Sequence, residues 1–343
     1  MTKKVDIGNI TIGGGSPVAI QSMANARTTI DIIAQIKELE ENGCEIARIA
    51  VKDAETAESV AEIKKSVNIP LVADIHFDYR LALQSVASGI DKLRINPGNI
   101  GSIENVQKVV SAAKERRVPI RIGVNGGSLE PELFKKHGGV TADALCESAL
   151  GHVHILEDLD FSDIVISIKS SSVPLTYEAY TKLSKLTEYP LHIGITEAGT
   201  KQAGTIKSAA CLGALLLAGI GDTLRVSLTA NPLEEVIAAR QLLQALEMRR
   251  FGVNIIACPT CGRTEVDLIK MAEIIEKNCQ GVKKNINVAV MGCAVNGPGE
   301  AKDADIGIAC GKGCGVLFKQ GLIVKKLDEQ ELVPALLDEI NRW

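Results

Sequence analysis

Short apolar runs of strand length recur along roughly the first 250 residues: "VAIQSM", "CEIARIAV", "PLVADIH", "KLRINPG", "PIRIGVN", "DIVISIKS", "LHIGIT" and "DTLRVSLT". Between them the apolar positions return every three or four residues, as in "TTIDIIAQIKELEENG" and "SIENVQKVVSAAKERR", which is the spacing of one helix face. A glycine or proline stands before most of the following strands: Gly43, Pro70, Gly89, Pro119, Pro190 and Gly221. Strands that alternate with helices form right-handed crossover units and a parallel sheet. Eight such units predict a (β/α)8 TIM barrel over residues 1–249. A doubly wound open sheet has the same periodicity, because the pattern does not report closure. The rhythm changes near Arg250, which sets a domain boundary between Met248 and Gly252 and a second, small α+β domain over 250–343. There "VNIIACPTCG" reads as a strand entering a turn, and "TEVDLIKMAEIIEKN" as an amphipathic helix with Thr264 and Asp267 as a capping pair. "NINVAVMGCAVNGPGE" reads as a strand and loop, "ADIGIACGKGCGVLFKQGLIVKKL" as a glycine-rich turn and hairpin, and "DEQELVPALLDEINRW" as a final helix.

Composition narrows the function classes. With 46% hydrophobic and 23% charged residues, the chain is an ordinary globular sequence with material for a large core. Aromatic residues are only 3% and the net charge is −4, which argues against a base-stacking platform and against a coat for nucleic acid or anionic membrane. The first residues lack the apolar segment of a secretory signal, and the longest apolar stretch, 209–221, falls short of the about 20 residues a membrane span needs. A cytoplasmic protein without nucleic-acid or membrane partners is expected.

The barrel strands carry polar residues toward their C-terminal ends, where barrel enzymes place their sites. Residues two apart on a strand share a face. Such pairs are Asp74 with His76, Arg94 with Asn96, and Arg225 with Ser227, while Arg121 and Asn125 stand four apart. Arg48 and Lys169 interrupt otherwise apolar runs, and Glu197 closes the seventh. One arginine in a buried strand is explained by a structural ion pair. Five cations on five strands (Arg48, Arg94, Arg121, Lys169 and Arg225), with few carboxylates to match, favour an anionic ligand such as a phosphate or diphosphate. The loops "NPGNIGS" and "NGGS" add backbone N–H groups near helix starts, which also suit phosphate. For Glu197 a bland alternative is a carboxylate in the first turn of a helix, where the macrodipole favours it.

The chain holds nine cysteines. Cys258 and Cys261 form C-x-x-C, and Cys293 follows later. By itself that pattern suits half a zinc site, a redox pair or an iron–sulfur corner. Cys279, Cys310 and Cys314 are candidates for a fourth ligand. Cys44, Cys146 and Cys211 sit inside barrel patterns, where cysteine is usually a small buried hydrophobe.

"ACPTCGRTEVDL" together with "VMGCAVNGPGE" resembles the (E)-4-hydroxy-3-methylbut-2-enyl diphosphate synthase family. The resemblance extends along the chain through "QSM", "ADIHFD", "LRINPGN", "RIGVN", "IKSS", "GITEAG" and "DTLRVSL", in the shorter bacterial form. It implies a barrel followed by an iron–sulfur domain, with a 4Fe–4S cluster on Cys258, Cys261 and Cys293 and Glu300 as a displaceable fourth ligand. "ACGKGCG" departs from the family pattern, since relatives mostly lack cysteine at the positions of Cys310 and Cys314. The implied reaction is reductive ring opening of 2-C-methyl-D-erythritol 2,4-cyclodiphosphate, with electrons from ferredoxin or flavodoxin. Arg48, Arg94, Arg121, Lys169 and Ser227 would hold the diphosphate, with Asn96, Asn125 and His76 nearby, and Glu197 would donate or accept a proton. A head-to-tail homodimer is also expected. The last barrel helix runs away from the mouth, and a short linker cannot return the cluster to its own barrel.

Overall fold

A computed structural model describes residues 1–279, 281–293, 301 and 304–343. The chain divides into two compact units, Met1–Met248 and Arg249–Trp343.

The first unit opens with a hairpin, β1 (Val5–Ile7) and β2 (Ile10–Ile12). Its two-residue turn places Gly8 at φ 56°, a conformation that favours glycine. The barrel strands follow: β3 (Ala19–Met23), β4 (Ile46–Ala50), β5 (Leu71–Asp74), β6 (Lys92–Ile95), β7 (Ile120–Asn125), β8 (Ile164–Lys169), β9 (His192–Ile193) and β10 (Thr223–Leu224). They pair in parallel in the order β8-β7-β6-β5-β4-β3-β10-β9. A parallel bridge between Ile166 and Leu191 joins the two ends, so the sheet closes and the open-sheet alternative is excluded. The helices between strands are α1 (Thr29–Glu41), α2 (Ala54–Ser66), α3 (Tyr79–Ala87), α4 (Ile103–Arg116), α5 (Pro131–His137), α6 (Ala142–Glu157), α7 (Val173–Leu186), α8 (Lys201–Leu217) and α9 (Pro232–Ala245). Several begin where a side chain satisfies a free backbone donor. Thr28 accepts from the Asp31 N–H, Asp53 from Thr56 and Asp78 from Arg80.

Val5, Ile7 and Ile12 of the hairpin pack with Ala19, Ile46, Val72 and Val165 at the strand starts. The hairpin thus seals the N-terminal end of the barrel with apolar side chains and leaves the C-terminal end for chemistry. The last two barrel strands are shorter than their apolar runs, because the ladder stops at Gly194 and Arg225, although the Arg225 N–H still bonds the Ile193 carbonyl at 3.1 Å.

In the second unit the described strands are β11 (Asn254–Ala257), β12 (Asn287–Met291), β13 (Ile306–Gly311), β14 (Cys314–Lys319) and β15 (Leu322–Asp328), paired in that order. The first three are parallel and the last three antiparallel. Helices α10 (Leu268–Cys279) and α11 (Glu329–Arg342) bury Leu268, Met271, Ile275, Leu332, Leu336 and Ile340 in the same core as Val288, Val290, Ile306 and Ile308. Helix α10 begins at Leu268, four residues later than the pattern suggested. Asp267 Oδ1 accepts from the Lys270 N–H at 3.2 Å, as a cap does, whereas Thr264 Oγ1 accepts from the Cys261 N–H at 3.1 Å and braces the C-x-x-C turn.

Candidate active site

Parallel strands bring their polar C-terminal residues to one rim. There a cavity of about 290 Å³ is lined by Arg48, Asp74, His76, Arg94, Arg121, Asn125, Lys169 and Ser227, together with Met23, Ser167, Ile195, Thr196 and Arg225. Register explains the convergence: Met23 stands beside Arg48, Arg94 beside Arg121, and Asn125 beside Lys169.

Arg94, Arg121 and Lys169 are buried, Arg48 and Arg225 are partly buried, and the five are only partly paired. Asp74 Oδ1 accepts from Arg94 Nη1 at 3.1 Å, and Asp74 Oδ2 lies 3.8 Å from Arg48 Nε and 3.4 Å from His76 Nε2. Burial alone would raise the Asp74 pKa. The hydrogen bond from His76 and the guanidinium groups of Arg48, Arg94 and Arg121 outweigh it and hold the carboxyl well below the usual range. Glu235 of α9 clamps Arg225, with Nε and Nη2 each donating at 3.0 Å. Arg121 and Lys169 form no salt bridge among the described residues. Arg121, 1% exposed, donates from Nη1 to Ser167 Oγ at 2.7 Å, and its Nε and Nη2 are buried without a partner, as is Arg94 Nε. Burial, with the neighbouring Arg48 and Arg94 charges, pushes the Arg121 pKa well down. The same causes bring Arg48 to about 10, burial first and the Arg225 and Arg94 charges opposing the help from Asp74.

Lys169 Nζ lies 3.3 Å from His192 Nε2, and His192 Nδ1 lies 2.8 Å from Thr223 Oγ1. His192 is fully buried, and its pKa is lowered by burial first and then by the neighbouring Arg121 and Lys169 charges. This geometry suits a neutral ring that donates from Nδ1 and accepts at Nε2. Two glycines make room for the cations. A Cβ on Gly123 would fall 2.3 Å from Arg94 Nε, and one on Gly194 would fall 2.6 Å from Lys169 Nζ. Five cations against Asp74 and Glu235 leave a surplus of positive charge in a small buried space, with unused donors pointing to an anionic occupant.

Two residues expected at the ligand stand apart from this cavity. Asn96 is buried, and its Oδ1 accepts from the Gly98 N–H at 3.1 Å, so it caps the turn before α4. Glu197 is exposed in the loop between β9 and α8, beside the lining residue Thr196, with a left-handed φ of 54°. Because α8 begins at Lys201, the first-turn alternative for Glu197 is also set aside.

In the second unit β11 and β12 run in parallel, with Ala257 opposite Val290, so Cys258 and Cys293 follow neighbouring strands at the same sheet end. The Gly292 N–H donates to Cys258 Sγ at 3.2 Å. Cys261 is exposed, and its thiol pKa is lowered by the Arg263 backbone N–H and then by Thr264 and the Arg263 charge. The lowered Cys261 pKa favours its thiolate, the form that binds iron or zinc. Among the described residues no three His, Cys, Asp or Glu side chains already enclose a metal position, and Glu300 lies outside those residues. Cys310 is buried in the domain core with its thiol pushed up to about 12, by burial first and then by Glu329 and Cys258, while Cys314 is exposed on β14. Cys44, Cys146 and Cys211 are buried, with thiols raised by burial.

The family model described as the GcpE TIM-barrel domain matches residues 2–240, and that of the GcpE protein C-terminal domain matches 254–342. The chain belongs to the GcpE family. Within it, this chain is 58% identical over 344 residues to a protein of Caldanaerobacter subterraneus named 4-hydroxy-3-methylbut-2-en-1-yl diphosphate synthase (flavodoxin), covering all of this chain and 97% of that one. A protein of Fusobacterium nucleatum with the same name is 56% identical, over 99% and 97% of the two chains. Among solved structures, the dihydropteroate synthase of Yersinia pestis superposes on 72% of this GcpE chain with a TM-score of 0.52 at 12% identity, covering 98% of its own length. At that identity the likeness is one of fold.

Several residues that line the GcpE barrel mouth were less legible in the sequence. Asp74 stood out only as the same-face companion of His76, and Arg225 only as one of the five strand cations, without a place beside the ligand. Ser167 was legible by stepping two residues back from Lys169, and Met23 by its place at the end of the first barrel run. His192 gave no signal, because an isolated histidine in "LHIGIT" is indistinguishable from a core residue.

Proposed function

We propose that this protein catalyses reductive dehydroxylation and ring opening of 2-C-methyl-D-erythritol 2,4-cyclodiphosphate to (E)-4-hydroxy-3-methylbut-2-enyl diphosphate, an oxidoreductase step of isoprenoid biosynthesis. The observation that carries the reading is the set of unused, buried guanidinium donors on Arg121 and Arg94 over a cavity of about 290 Å³. Full-length relatives named for this synthase support it. Arg48, Arg94, Arg121 and Lys169 bind the two phosphoryl groups, with Ser227, Asn125 and His76 as hydrogen-bonding partners at the rim. His76 also bonds Asp74, which leaves it oriented toward the cavity wall. Glu197, exposed beside Thr196 on the β9–α8 loop, exchanges a proton with the departing hydroxyl. Asn96 acts indirectly by shaping the loop after β6. Residues 1–249 serve as the substrate domain and 250–343 as the cluster domain.

Cys258, Cys261 and Cys293 would hold a 4Fe–4S cluster with Glu300 as fourth ligand, and the group would supply two electrons, one at a time. The Gly292 N–H on Cys258 Sγ and the lowered thiol pKa of Cys261 suit that donor set. A carboxylate is a harder, more readily displaced ligand for iron than a thiolate, which would leave one position free for substrate. The burial of Cys310 argues against a ligand role for it. Flavodoxin is the donor favoured by the relatives' names, with ferredoxin as the other carrier of the same kind. A cytoplasmic location is part of the proposal, and among the described residues no helix is long and apolar enough to cross a membrane.

A head-to-tail homodimer completes the proposal. Helix α9 follows β10 and returns along the barrel for 14 residues, about 21 Å at 1.5 Å each, which supports delivery of the chain to the end opposite the mouth. The cluster domain of one chain then serves the barrel of its partner.

The reading is tested with anaerobically prepared protein, reduced flavodoxin and the cyclic diphosphate. About four irons per chain and formation of the linear diphosphate are expected. Cys258→Ser should lose the iron, and Glu300→Ala should keep iron but lose most turnover. Loss of iron in Cys310→Ser or Cys314→Ser, with Glu300→Ala fully active, would show the ligand set to be wrong.

A further inference from the structure

Lys92 on β6 has no part in the site as described. It is fully buried inside the barrel, and its Nζ has no hydrogen-bond partner. It lies two residues before Arg94 on the same inward face, opposite Val72 of the apolar floor. Barrels normally fill this level with branched aliphatic side chains. A methionine would occupy the space without an unsolvated amine.

The inward-facing neighbours make a charged Lys92 costly in the empty barrel. Arg48 comes from β4, Arg94 from β6, Arg121 from β7, Lys169 from β8 and His192 from β9. Asp74 of β5 already serves Arg94, Arg48 and His76, and Arg225, just after β10, is held by Glu235. Gln21 of β3 is uncharged, and both of its carboxamide atoms are unpartnered as well. Burial first, then the Arg121 and Arg48 charges, lower the affinity of the Lys92 amine for a proton. An anion arriving at the mouth reverses the local potential that opposes protonation.

We propose that Lys92 is a proton acceptor coupled to ligand binding, taking one proton from solvent when the cyclic diphosphate enters the mouth. The inference rests on the reading of the mouth as a cyclic diphosphate site. It also fits the charge balance of the reaction. The cyclic dianion, two electrons from the donor and one proton give the linear trianion and water, so the ligand gains a negative charge as the ring C–O bond breaks. An ammonium beneath the anion site stabilises that gain.

The test is calorimetric titration of the protein with the cyclic diphosphate, without reductant, in two buffers of different ionisation heat. The ligand suits this because each of its phosphoryl groups carries a single strongly acidic proton and does not titrate near neutrality. About one proton taken up per ligand bound is expected, with the apparent Kd of the wild type rising by up to about tenfold per pH unit through the alkaline range. Lys92→Met should bind without uptake and with a pH-independent Kd, whereas His192→Gln should keep the uptake. Binding without uptake in the wild type, or unchanged uptake in Lys92→Met, overturns the inference. Loss of uptake in His192→Gln with retention in Lys92→Met moves the acceptor to His192 and overturns it equally. Should Lys92→Met fail to fold, Lys92→Gln takes its place in the same comparison, and a flat wild-type profile overturns the proposal in either case. Absence of any binding would sink the functional reading as well, which separates the two failures.

Discussion

Arg121 is the residue on which the anion reading rests most directly, since it is buried, carries two unused N–H groups and has no carboxylate bonded to it. Removing a charge-assisted contact costs about 1.5–3 kcal/mol, so Arg121→Ala and Lys169→Ala should each weaken substrate binding by roughly 10- to 150-fold while leaving the iron content unchanged. Substrate titration measures this, and unchanged affinity in both variants would make these cations structural. Asp74 has the opposite character, a paired carboxylate that organises the cations around it. Its folded pKa is depressed, so its contribution to stability is present above the unfolded carboxylate value, about 3.9, and is lost as pH falls toward the folded value. Asp74→Asn should therefore destabilise by about 3 kcal/mol at neutral pH, with the difference shrinking below about pH 4. Urea midpoints of both proteins across that range would show it, and a constant difference would assign the effect to packing. At this scale the sequence marks residue type well, because charges in apolar runs stand out. It does not mark pairing: Asn96 and Arg94 share a face by spacing, yet only Arg94 lines the cavity, since the carboxamide of Asn96 turns back to its own loop.

The N-terminal hairpin is the element that pattern reading overlooked. "VDIGNITI" holds its signal, alternating apolar residues around a glycine-led two-residue turn, but three-residue strands are too short to register as a period. Its function follows from packing, because Ile7 and Ile12 are fully buried against the strand starts. Ile7→Ala should cost about 2–5 kcal/mol in the barrel unit and lower its thermal midpoint, with iron content unaltered. Calorimetric unfolding of the cluster-loaded protein would register the loss, and an unshifted barrel transition would mean that the hairpin is dispensable. Thr264 shows the converse error. A Thr-x-x-Asp spacing reads as a helix start, but the local backbone of the C-x-x-C turn claims the threonine hydroxyl first, and Asp267 caps the helix instead.

At the scale of the whole molecule, the proposed dimer makes a prediction that no single chain can meet. Cys258→Ser and Glu197→Ala should each be inactive, yet a mixed dimer would hold one site with both lesions and one with neither. Activity should reappear when the two are mixed and allowed to exchange subunits. Continued inactivity despite exchange, followed by mass spectrometry of differently tagged chains, would place the whole active site within one chain.

The alternation of apolar runs and helical periods was enough, by itself, to determine eight crossover units and a second domain, because side-chain burial in a parallel sheet imposes those periods on any sequence that forms it. Spacing likewise exposed the cations, since a charge in a buried strand has few ways to be tolerated. Only the tertiary structure decided closure, through the contact of Ile166 with Leu191, which no period encodes. It also decided which cations share one cavity, which are neutralised by Asp74 and Glu235, and which keep free donors. Those distinctions depend on register between strands distant in sequence, and on the clearance over Gly123 and Gly194 that lets two long side chains lie across the barrel.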